Sequence, residues 1–410
     1  MDRDAKPVNA CLGAATFLTD AEGLNSGDIL GMKILLVGNY APDAQESMTR
    51  YAQLMHAGLT AAGHEVVLAL PTAVLNRPHR GANGVWKWVG YVDKHLLSIP
   101  ALQRAAAHVD IVHVCDHANS IYVPLSSRAP HIVTCHDLLA VRGALGEDTD
   151  CPASFTGRQL QRSILRGLGR AHALACVSRA TQRDACRLLN GYRGPIVLAP
   201  NALNYPYRRI EPQTAVQRLA DLPGLDPAYP FVLSVGSNLR RKNRLAVLHS
   251  VAGIRDSWNG RIVFAGQPLN AELHALVREL RLTDRVIEVV KPSNEVLEAL
   301  YNRALALHFP SRFEGFGWPI IEAQACGCPV ICSDREPLPE VAGSAAIVCD
   351  PDDFAGLGAA IVRLDRSKHV RDDLSFRGPS VVLTGRKKPP HRGDAGPGGR
   401  PPLAESCTPA

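Results

Sequence analysis

Residues 311–333 read SRFEGFGWPIIEAQACGCPVICS and place two carboxylates, Glu314 and Glu322, on either side of a glycine turn. Pro319 suits the first position of a helix, because the missing N–H of proline costs nothing there. Gly327 suits the left-handed position that follows a helix, and the apolar residues after it are typical of a buried strand. The stretch therefore predicts a turn, a helix and a strand, in that order.

The turn itself has the chemistry of a ligand site. Gly315 and Gly317 allow the backbone to approach a ligand closely, and the free N–H groups at the start of the helix favour a phosphate. Phe316 lies between the two glycines. Glu314 in the loop and Glu322 one turn into the helix can accept hydrogen bonds from sugar hydroxyls. The pattern predicts a sugar-nucleotide site, and the alternative is two surface carboxylates flanking a turn.

Apolar segments of strand length alternate with helical stretches along the chain. The first series begins at Met32 and reads KILLVGNY, HEVVLALP, DIVHVC, HIVTCHD, ALACVS and PIVLAP. After a polar, proline-bearing stretch at 204–230 a second series reads PFVLSVGS, GRIVFAG, RVIEVV, LALHFPS, PVICS and AAIVC. Such alternation is typical of a doubly wound parallel sheet. The fold class predicted is α/β, with two Rossmann-like domains facing each other across a cleft and ligands at the carboxyl ends of the strands.

Four segments follow from this pattern and from composition. We predict a disordered N-terminal extension at 1–31, a first domain at 32–206 and a second domain at 207–378. The remainder, 379–410, is dense in proline and glycine and has no helical or strand period. That composition predicts a disordered tail.

Composition excludes several classes of protein. No apolar run approaches the length of a membrane-spanning helix, and the N-terminus lacks the pattern of a signal peptide, so a cytoplasmic location is expected. Eleven cysteines, mostly inside apolar segments, fit reduced core thiols. The net charge of +6 is spread diffusely, which suits anionic small molecules or membranes but not nucleic acid. Two Asp-x-Asp triplets, 148–150 and 350–352, lie in polar turns, and no metal site is predicted.

The string EGFGWPIIEAQACGCPVICS resembles the signature of the family 4 glycosyltransferases, retaining enzymes with the GT-B architecture. The resemblance covers about 32–378. It implies a metal-independent hexosyltransferase without a cofactor that moves a hexose, mannose first, from a nucleoside-diphosphate sugar to a hydroxyl of a glycan or lipid-linked glycan. Relatives continue into a last helix that we expect to be absent here. A catalytically impaired sugar-nucleotide-binding protein with an altered C-terminus and a GT-B-like epimerase remain alternatives.

The residues NLRRKN follow the predicted strand that ends at Gly236. Cations at the carboxyl end of a strand can bind a diphosphate leaving group, whereas the alternative is a solvated basic turn. The resemblance implies that Lys242 and Arg241 grip the donor diphosphate. Relatives often carry an arginine just after the strand glycine, and Ser237 and Asn238 stand there instead.

The resemblance also implies roles for residues elsewhere in the chain. Glu314 would hold sugar hydroxyls and Glu322 the ribose, while His136, after the strand HIVTC, would contact the transferred sugar from the first domain. Gly38 resembles the glycine where the backbone meets the donor. Residues 290–292 replace the glycine-bearing turn that relatives usually have near the base, so the nucleotide stays open.

A basic stripe recurs every four residues at Arg158, Arg162, Arg166 and Arg170. The ordinary interpretation is a solvated helix face. Because another helical stretch of the same domain carries Trp86, Trp88 and Tyr91, the alternative is a peripheral contact with an anionic membrane.

Overall fold

The structure is a computed structural model that describes residues 31–76, 84–125, 129–226 and 229–384. These residues form two compact units that divide between Asn204 and Tyr205. The division falls two residues before the boundary predicted from the sequence.

The first unit is built on a six-stranded parallel sheet with the order β2-β1-β3-β4-β5-β6. Its strands are β1 (Lys33–Val37), β2 (Glu65–Ala69), β3 (Ile111–Val114), β4 (His131–Cys135), β5 (Ala173–Cys176) and β6 (Ile196–Leu198). Its helices are α1 (Glu46–Ala61), α2 (Val85–Val92), α3 (Ile99–Ala106), α4 (Leu139–Ala144), α5 (Phe155–Leu168) and α6 (Arg179–Leu188). A π-helical turn at Asp93–Leu97 joins α2 to α3, and a 3₁₀ segment at His117–Leu125 follows β3.

The second unit repeats the design with the order β12-β11-β10-β7-β8-β9. Its strands are β7 (Phe231–Gly236), β8 (Arg261–Gly266), β9 (Val286–Val290), β10 (Ala306–Phe309), β11 (Val330–Ser333) and β12 (Ala346–Cys349). Its helices are α7 (Pro212–Leu219), α8 (Arg244–Gly253), α9 (Ala271–Glu279), α10 (Asn294–Arg303), α11 (Trp318–Ala325), α12 (Leu338–Ala342), α13 (Phe354–Arg366) and α14 (Lys368–Thr384).

All twelve apolar segments singled out in the sequence form strands, and the predicted α/β class is confirmed. The runs are mostly apolar because the central strands are covered on both faces by helices. In β3 and β4 the side chains of Val114 and Val133 are fully buried, as are Val232 and Leu233 in β7.

Each sheet reverses its strand order at one point. In the first unit the reversal lies between β1 and β3, and in the second it lies between β7 and β10. The connections leave these neighbouring strands in opposite directions, so a crevice opens at their carboxyl ends, where doubly wound folds bind ligands. The order of the strands therefore selects where each unit can hold a ligand.

The predicted disordered tail at 379–410 is wrong for its first residues, because 379–384 are helical. Helix α14 continues through Pro379 to Thr384. Proline has no N–H to donate to the carbonyl of Ser375, four residues earlier, and the guanidinium of Arg209 donates to that carbonyl instead. Gly378 lies against α11, where a Cβ would come within 3.0 Å of the carbonyl oxygen of Gln324. Tertiary contacts thus allow the helix to continue past a proline. The rest of the predicted tail, 385–410, and residues 1–30 of the predicted N-terminal extension lie outside the described residues.

Among the helices that the structure describes, none is both long enough and apolar enough to span a membrane. Eight cysteines in the described ranges are free thiols, as expected from their apolar surroundings. Cys186 departs from that expectation, because it is disulfide-bonded.

A buried histidine makes the second unit sensitive to acid. The side chain of His308, in β10, is fully buried, and neither ring nitrogen has a hydrogen-bond partner in the part of the chain that the structure describes. Burial lowers its pKa from 6.5 to about 3. The unfolded chain therefore binds a proton that the folded chain does not, so stability is full above pH 6.5 and is lost as the pH falls toward 3.

We predict that His308→Leu reduces this acid sensitivity. Between pH 7 and pH 5 the wild-type protein should lose about 2 kcal/mol more unfolding free energy than the variant, because only the wild type takes up this proton on unfolding. Urea denaturation at the two pH values measures the difference. His369→Leu, which removes an exposed histidine from α14, is the control. The prediction would be contradicted if the difference in unfolding free energy between His308→Leu and wild type were the same at both pH values.

Candidate active site

The turn after β7 is held in place by a buried asparagine. Beyond Gly236 the chain enters a 3₁₀ turn at Arg240–Lys242, and Asn243 follows with a left-handed φ of 53°. The side-chain amide of Asn243 donates to the carbonyl oxygens of Pro310 at 3.1 Å and Pro351 at 3.0 Å. Asparagine tolerates positive φ better than most residues. This residue therefore fixes the two preceding cations against the end of β10.

Glu314 lies between those two cations. Its Oε1 is 2.6 Å from the Nζ of Lys242, and its Oε2 is 3.3 Å from the guanidinium of Arg241. Arg241 also donates to the carbonyl oxygen of Phe313 at 3.0 Å. The side chains of Glu314, Lys242 and Arg241 are 7%, 17% and 21% exposed. The structure thus brings together three predicted donor-site residues from the ends of two adjacent strands, at the reversal point of the sheet.

The cations control the charge of Glu314. Burial alone would raise the pKa of this carboxyl, but the charges of Lys242 and Arg241 outweigh burial and hold the pKa below its ordinary value. Glu314 is therefore an anion at neutral pH. An ionised carboxylate accepts hydrogen bonds and donates none, which suits sugar hydroxyls.

Two of the predicted glycines have backbone conformations that require glycine. Gly236 has a φ of 142°, and a Cβ there would lie 3.8 Å from the side chain of Lys242. Gly317 precedes α11 with a φ of 103°, and a Cβ there would come within 2.8 Å of Leu338. Gly315 does not have a positive φ. Phe316, which lies between Gly315 and Gly317, is buried.

The helix predicted after this turn is present with one small shift. Helix α11 begins at Trp318, so Pro319 occupies the second helical position and not the first. Gly327 has the predicted left-handed conformation, with a φ of 72°. A Cβ at Gly327 would also meet the guanidinium of Arg209, which would have to move aside.

Glu322 lies in α11 and is 4% exposed. Its Oε2 accepts a hydrogen bond of 2.8 Å from the hydroxyl of Tyr301, which is itself fully buried in α10. Burial and the neighbouring carboxylate raise the pKa of Tyr301, so its hydroxyl stays protonated and remains a donor. Sequence reasoning did not predict Tyr301. Its hydrogen bond to Glu322 fixes the orientation of the carboxylate.

In the first unit, His136 and Gly38 follow β4 and β1, at the carboxyl edge of the sheet. The Nε2 of His136 lies 2.9 Å from the carbonyl oxygen of Cys115, so this nitrogen carries the proton and donates. Burial lowers the pKa of His136, in spite of the nearby Asp116 carboxylate. The ring is neutral at pH 7. This charge state fits a residue that positions a ligand by hydrogen bonding better than one that acts as a cation.

A buried polar network beside these residues was not predicted. The amide of Asn39 donates to Asp116 at 2.6 Å, and Asn119 donates to the side chain of Asn39 at 3.1 Å and to the carbonyl oxygen of Gly38 at 3.2 Å. His117 lies 3.2 Å from Asp116. The network ties the ends of β1 and β3 together across their reversal point. The available signal was the pair of polar segments, NY and CDHANS, directly after two apolar strands.

The turn expected near the base has an unusual backbone. Lys291 has a left-handed φ of 47°, and its N–H donates to the carbonyl oxygen of Gly266 at 2.9 Å. A left-handed lysine therefore occupies the turn where the resemblance implied glycine. Left-handed φ is unfavourable for residues with a Cβ, so tertiary contacts hold this turn.

The carboxylates of the acidic triplet at 350–352 are bound by other groups of the protein. Asp350 accepts from the N–H of Asp352 at 2.9 Å and pairs with Arg335 at 3.3 Å, while Asp352 pairs with Arg312. Across the described residues, no three His, Cys, Asp or Glu side chains are grouped as metal ligands.

Two family models match this chain. The model described as Glycosyltransferase Family 4 matches residues 48–205, and the model described as Glycosyl transferases group 1 matches residues 221–379. One match falls in each unit. The chain belongs to the family 4 glycosyltransferases, and its fold is of the GT-B type.

Individual proteins are similar over shorter or more distant matches. The chain is 42% identical over 85 residues to O-antigen chain mannosyltransferase B of Escherichia coli, covering 21% of this chain and 22% of that protein. It is 35% identical over 136 residues to O-antigen chain mannosyltransferase RfbU of Salmonella typhimurium, covering 33% and 38%. The chain thus spans less than two fifths of the length of these two relatives. The solved structure of a sucrose-phosphate synthase from Thermosynechococcus elongatus has a similar fold, with a TM-score of 0.69, 22% identity and coverage of 86% and 94%.

Proposed function

We propose that this chain is a retaining, metal-independent hexosyltransferase that uses a nucleoside-diphosphate sugar as donor. The observation that carries the proposal is the position of Glu314 between Lys242 and Arg241 at the reversal point of the second sheet. One site then offers an anion for sugar hydroxyls and two cations for a diphosphate. A sugar nucleotide has both kinds of group, so it matches this arrangement.

The proposed chemistry follows from these charges. As the bond between sugar and diphosphate breaks, negative charge grows on the leaving phosphate oxygen, and Lys242 and Arg241 would stabilise it. Because two cations already lie at this position, the charge does not require a divalent metal. Glu314 would hold the sugar hydroxyls, Glu322 the ribose, and His136 of the first unit the transferred sugar. In a same-face substitution the leaving phosphate would take the proton of the acceptor hydroxyl.

Mannose is the favoured sugar, and a glycan or lipid-linked glycan is the favoured acceptor. Both choices are supported by the two O-antigen chain mannosyltransferases that resemble this chain. The nucleotide is open, since a left-handed lysine stands in the turn near the proposed base position.

Thermal shift with GDP-mannose, UDP-glucose, UDP-galactose and UDP-N-acetylglucosamine tests the proposal first. We expect one donor to raise the melting temperature of the wild-type protein more than the others. With that donor and an alkyl mannoside acceptor, NMR should find a product with the anomeric configuration of the donor, at a rate that EDTA does not change. Binding without transfer would favour a sugar-nucleotide-binding protein. Conversion of the donor sugar without an acceptor would favour an epimerase.

We further propose that the first unit contacts an anionic membrane through α2 and the π-helical turn. Exposed apolar side chains recur there every three or four residues, at Val85, Trp88, Val92 and Leu96, with exposures of 67%, 56%, 38% and 64%. This spacing places them along one helix face. The exposed cation Lys87 lies in the same helix, and the four arginines at 158, 162, 166 and 170 are also exposed on the first unit. An apolar stripe that includes a tryptophan, with a cation in the same helix, suits an acidic membrane surface.

Flotation with liposomes that contain phosphatidylglycerol tests this contact. The wild-type protein should float, and the double substitution Trp88→Ser with Leu96→Ser should remain at the bottom of the gradient. Phe376→Ser, which removes an exposed apolar side chain from the second unit, should float like the wild type. Equal behaviour of wild type and double variant would contradict the proposal.

A further inference from the structure

Arg244 is a buried cation next to the candidate donor site. It is the first residue of α8 and is only 3% exposed. It follows Asn243 directly, so the asparagine that positions Lys242 also positions Arg244. Sequence reasoning did not single out this residue, because an arginine at the start of a helix is ordinarily a surface side chain.

The guanidinium of Arg244 binds neutral oxygens only. It donates to the carbonyl oxygen of Gly236 at 2.6 Å, to that of Gln267 at 2.8 Å and to the side-chain oxygen of Asn238 at 2.6 Å. Its guanidinium carbon lies 5.2 Å from the centre of the Phe264 ring. In the part of the chain that the structure describes, no carboxylate lies within 4 Å of it.

Among the described residues, Glu288 is the acidic group that influences Arg244, and its carboxylate has other partners. Glu288 acts on it electrostatically from a greater distance. The carboxylate of Glu288 already accepts from the N–H of Leu269 at 2.7 Å and lies 3.3 Å from the ring of His274. Within the described ranges Arg244 is therefore a buried charge without a counter-ion of its own.

Such a charge is costly for the folded protein. Removing an ion from water costs several kcal/mol unless an opposite charge compensates. Burial lowers the pKa of Arg244 to about 10, so the side chain remains a cation at neutral pH. An anion bound nearby would recover part of this cost, since the attraction between charges is strong where water is excluded.

Arg244 is hydrogen-bonded to the start of the loop that follows β7, and the same loop carries Arg241 and Lys242. Two of its acceptors are backbone carbonyls at the ends of β7 and β8, and the third is the side chain of Asn238. The two strand ends lie close together, because a Cβ on Gly266 would come within 2.4 Å of the carbonyl oxygen of Gly236. A Cβ on Gly236 would lie 3.8 Å from the side chain of Lys242. Ser237 and Asn238, the residues directly after β7, carry no charge. Arg244 thus adds positive charge at the part of the loop, Ser237 and Asn238, that has none of its own.

We propose that Arg244 is a positioning residue for the donor diphosphate, which it favours by holding the loop after β7 and by adding a buried positive charge behind it. The inference rests on the proposed function and extends it to a third cation. Its particular consequence is that binding energy should depend on ligand charge. A residue with a purely structural role would affect charged and uncharged ligands alike.

Calorimetric titration of one nucleoside series, guanosine, GMP and GDP or uridine, UMP and UDP, tests the inference. In Arg244→Gln the affinity for the diphosphate should fall about tenfold, the affinity for the monophosphate less, and the affinity for the nucleoside should not change. Arg244→Lys should recover most of the loss, because it restores the charge. An equal loss for all three ligands, or no loss, would overturn the inference.

A second variant keeps the arginine in place. Asn238→Asp sets a carboxylate against the guanidinium, so it should raise the melting temperature while it lowers the affinity for the diphosphate. In the Arg244→Gln background the same substitution should leave that affinity unchanged. A further loss there would mean that the new carboxylate repels the ligand directly. If Lys242→Ala abolishes diphosphate binding while the Arg244 and Asn238 variants bind normally, the inference fails and the proposed function stands. If the wild-type protein shows no charge-dependent binding, both fail.

Discussion

Lys242→Ala should reduce kcat/KM for sugar transfer by at least about 100-fold, which corresponds to about 3 kcal/mol of transition-state stabilisation. Lys242 is the cation closest to Glu314 in the candidate site, with its Nζ 2.6 Å from the carboxylate. Its charge would stabilise the phosphate oxygen as it becomes negative. Initial rates with the donor selected by thermal shift measure the loss.

The loss should extend to binding. A free nucleoside diphosphate carries the same phosphate charge as the leaving group, so its affinity should also fall in Lys242→Ala. Lys368→Ala, which removes an exposed lysine from the start of α14, is a matched control and should leave both quantities unchanged. The melting temperature must be compared as well, because Lys242→Ala removes a partner of the buried Glu314 carboxylate. A folded Lys242→Ala protein with normal turnover would exclude this site.

Glu314→Gln should separate sugar recognition from phosphate binding. The substitution keeps the size of the side chain but removes the anion that Lys242 and Arg241 share. Transfer should fall about 100-fold or more, since the hydrogen-bond acceptor for the sugar is altered in the transition state. The affinity for a free nucleoside diphosphate should rise several-fold, because both cations lose their competing carboxylate.

Opposite changes in the two measurements are the decisive result. Calorimetry gives the affinity for the diphosphate, and initial rates give the turnover. Glu272→Gln, which removes a carboxylate from the first turn of α9, is the control for a change of net charge alone. If diphosphate affinity falls in Glu314→Gln, the carboxylate supports the phosphate site in a way that the ion-pair geometry does not predict.

The strands and the fold class could be predicted because their signal is local. A central strand of a doubly wound sheet is covered on both faces, so each strand appears in the sequence as a short apolar run such as those that form β1 and β7. Turn chemistry was local as well, since Gly317 and Gly327 adopt the left-handed conformations that their positions required. The site residues Arg241, Lys242 and Glu314 could be predicted for two reasons. They follow predicted strands, and they lie in motifs that resemble those of a known family.

Features that depend on contacts distant in sequence could not be predicted in this way. The continuation of α14 through Pro379 depends on Arg209, more than 160 residues away, which replaces the missing backbone donor. The role of Tyr301 toward Glu322 depends on how α10 packs beside α11. The network of Asn39, Asp116 and Asn119 depends on the adjacency of β1 and β3, which are separated by several helices in the chain.

The sequence alone determined that this chain forms two parallel α/β sheets and that cations and glutamates follow particular strands, because apolar periodicity, glycine and proline act within a few residues. The tertiary structure alone decided which of those groups meet. The order of the strands brings β7 and β10 side by side, so that Lys242 and Glu314, 72 residues apart in the chain, come within 2.6 Å. It also buries Arg244 among neutral oxygens, and burial is what changes an ordinary arginine into a charge that favours a bound anion.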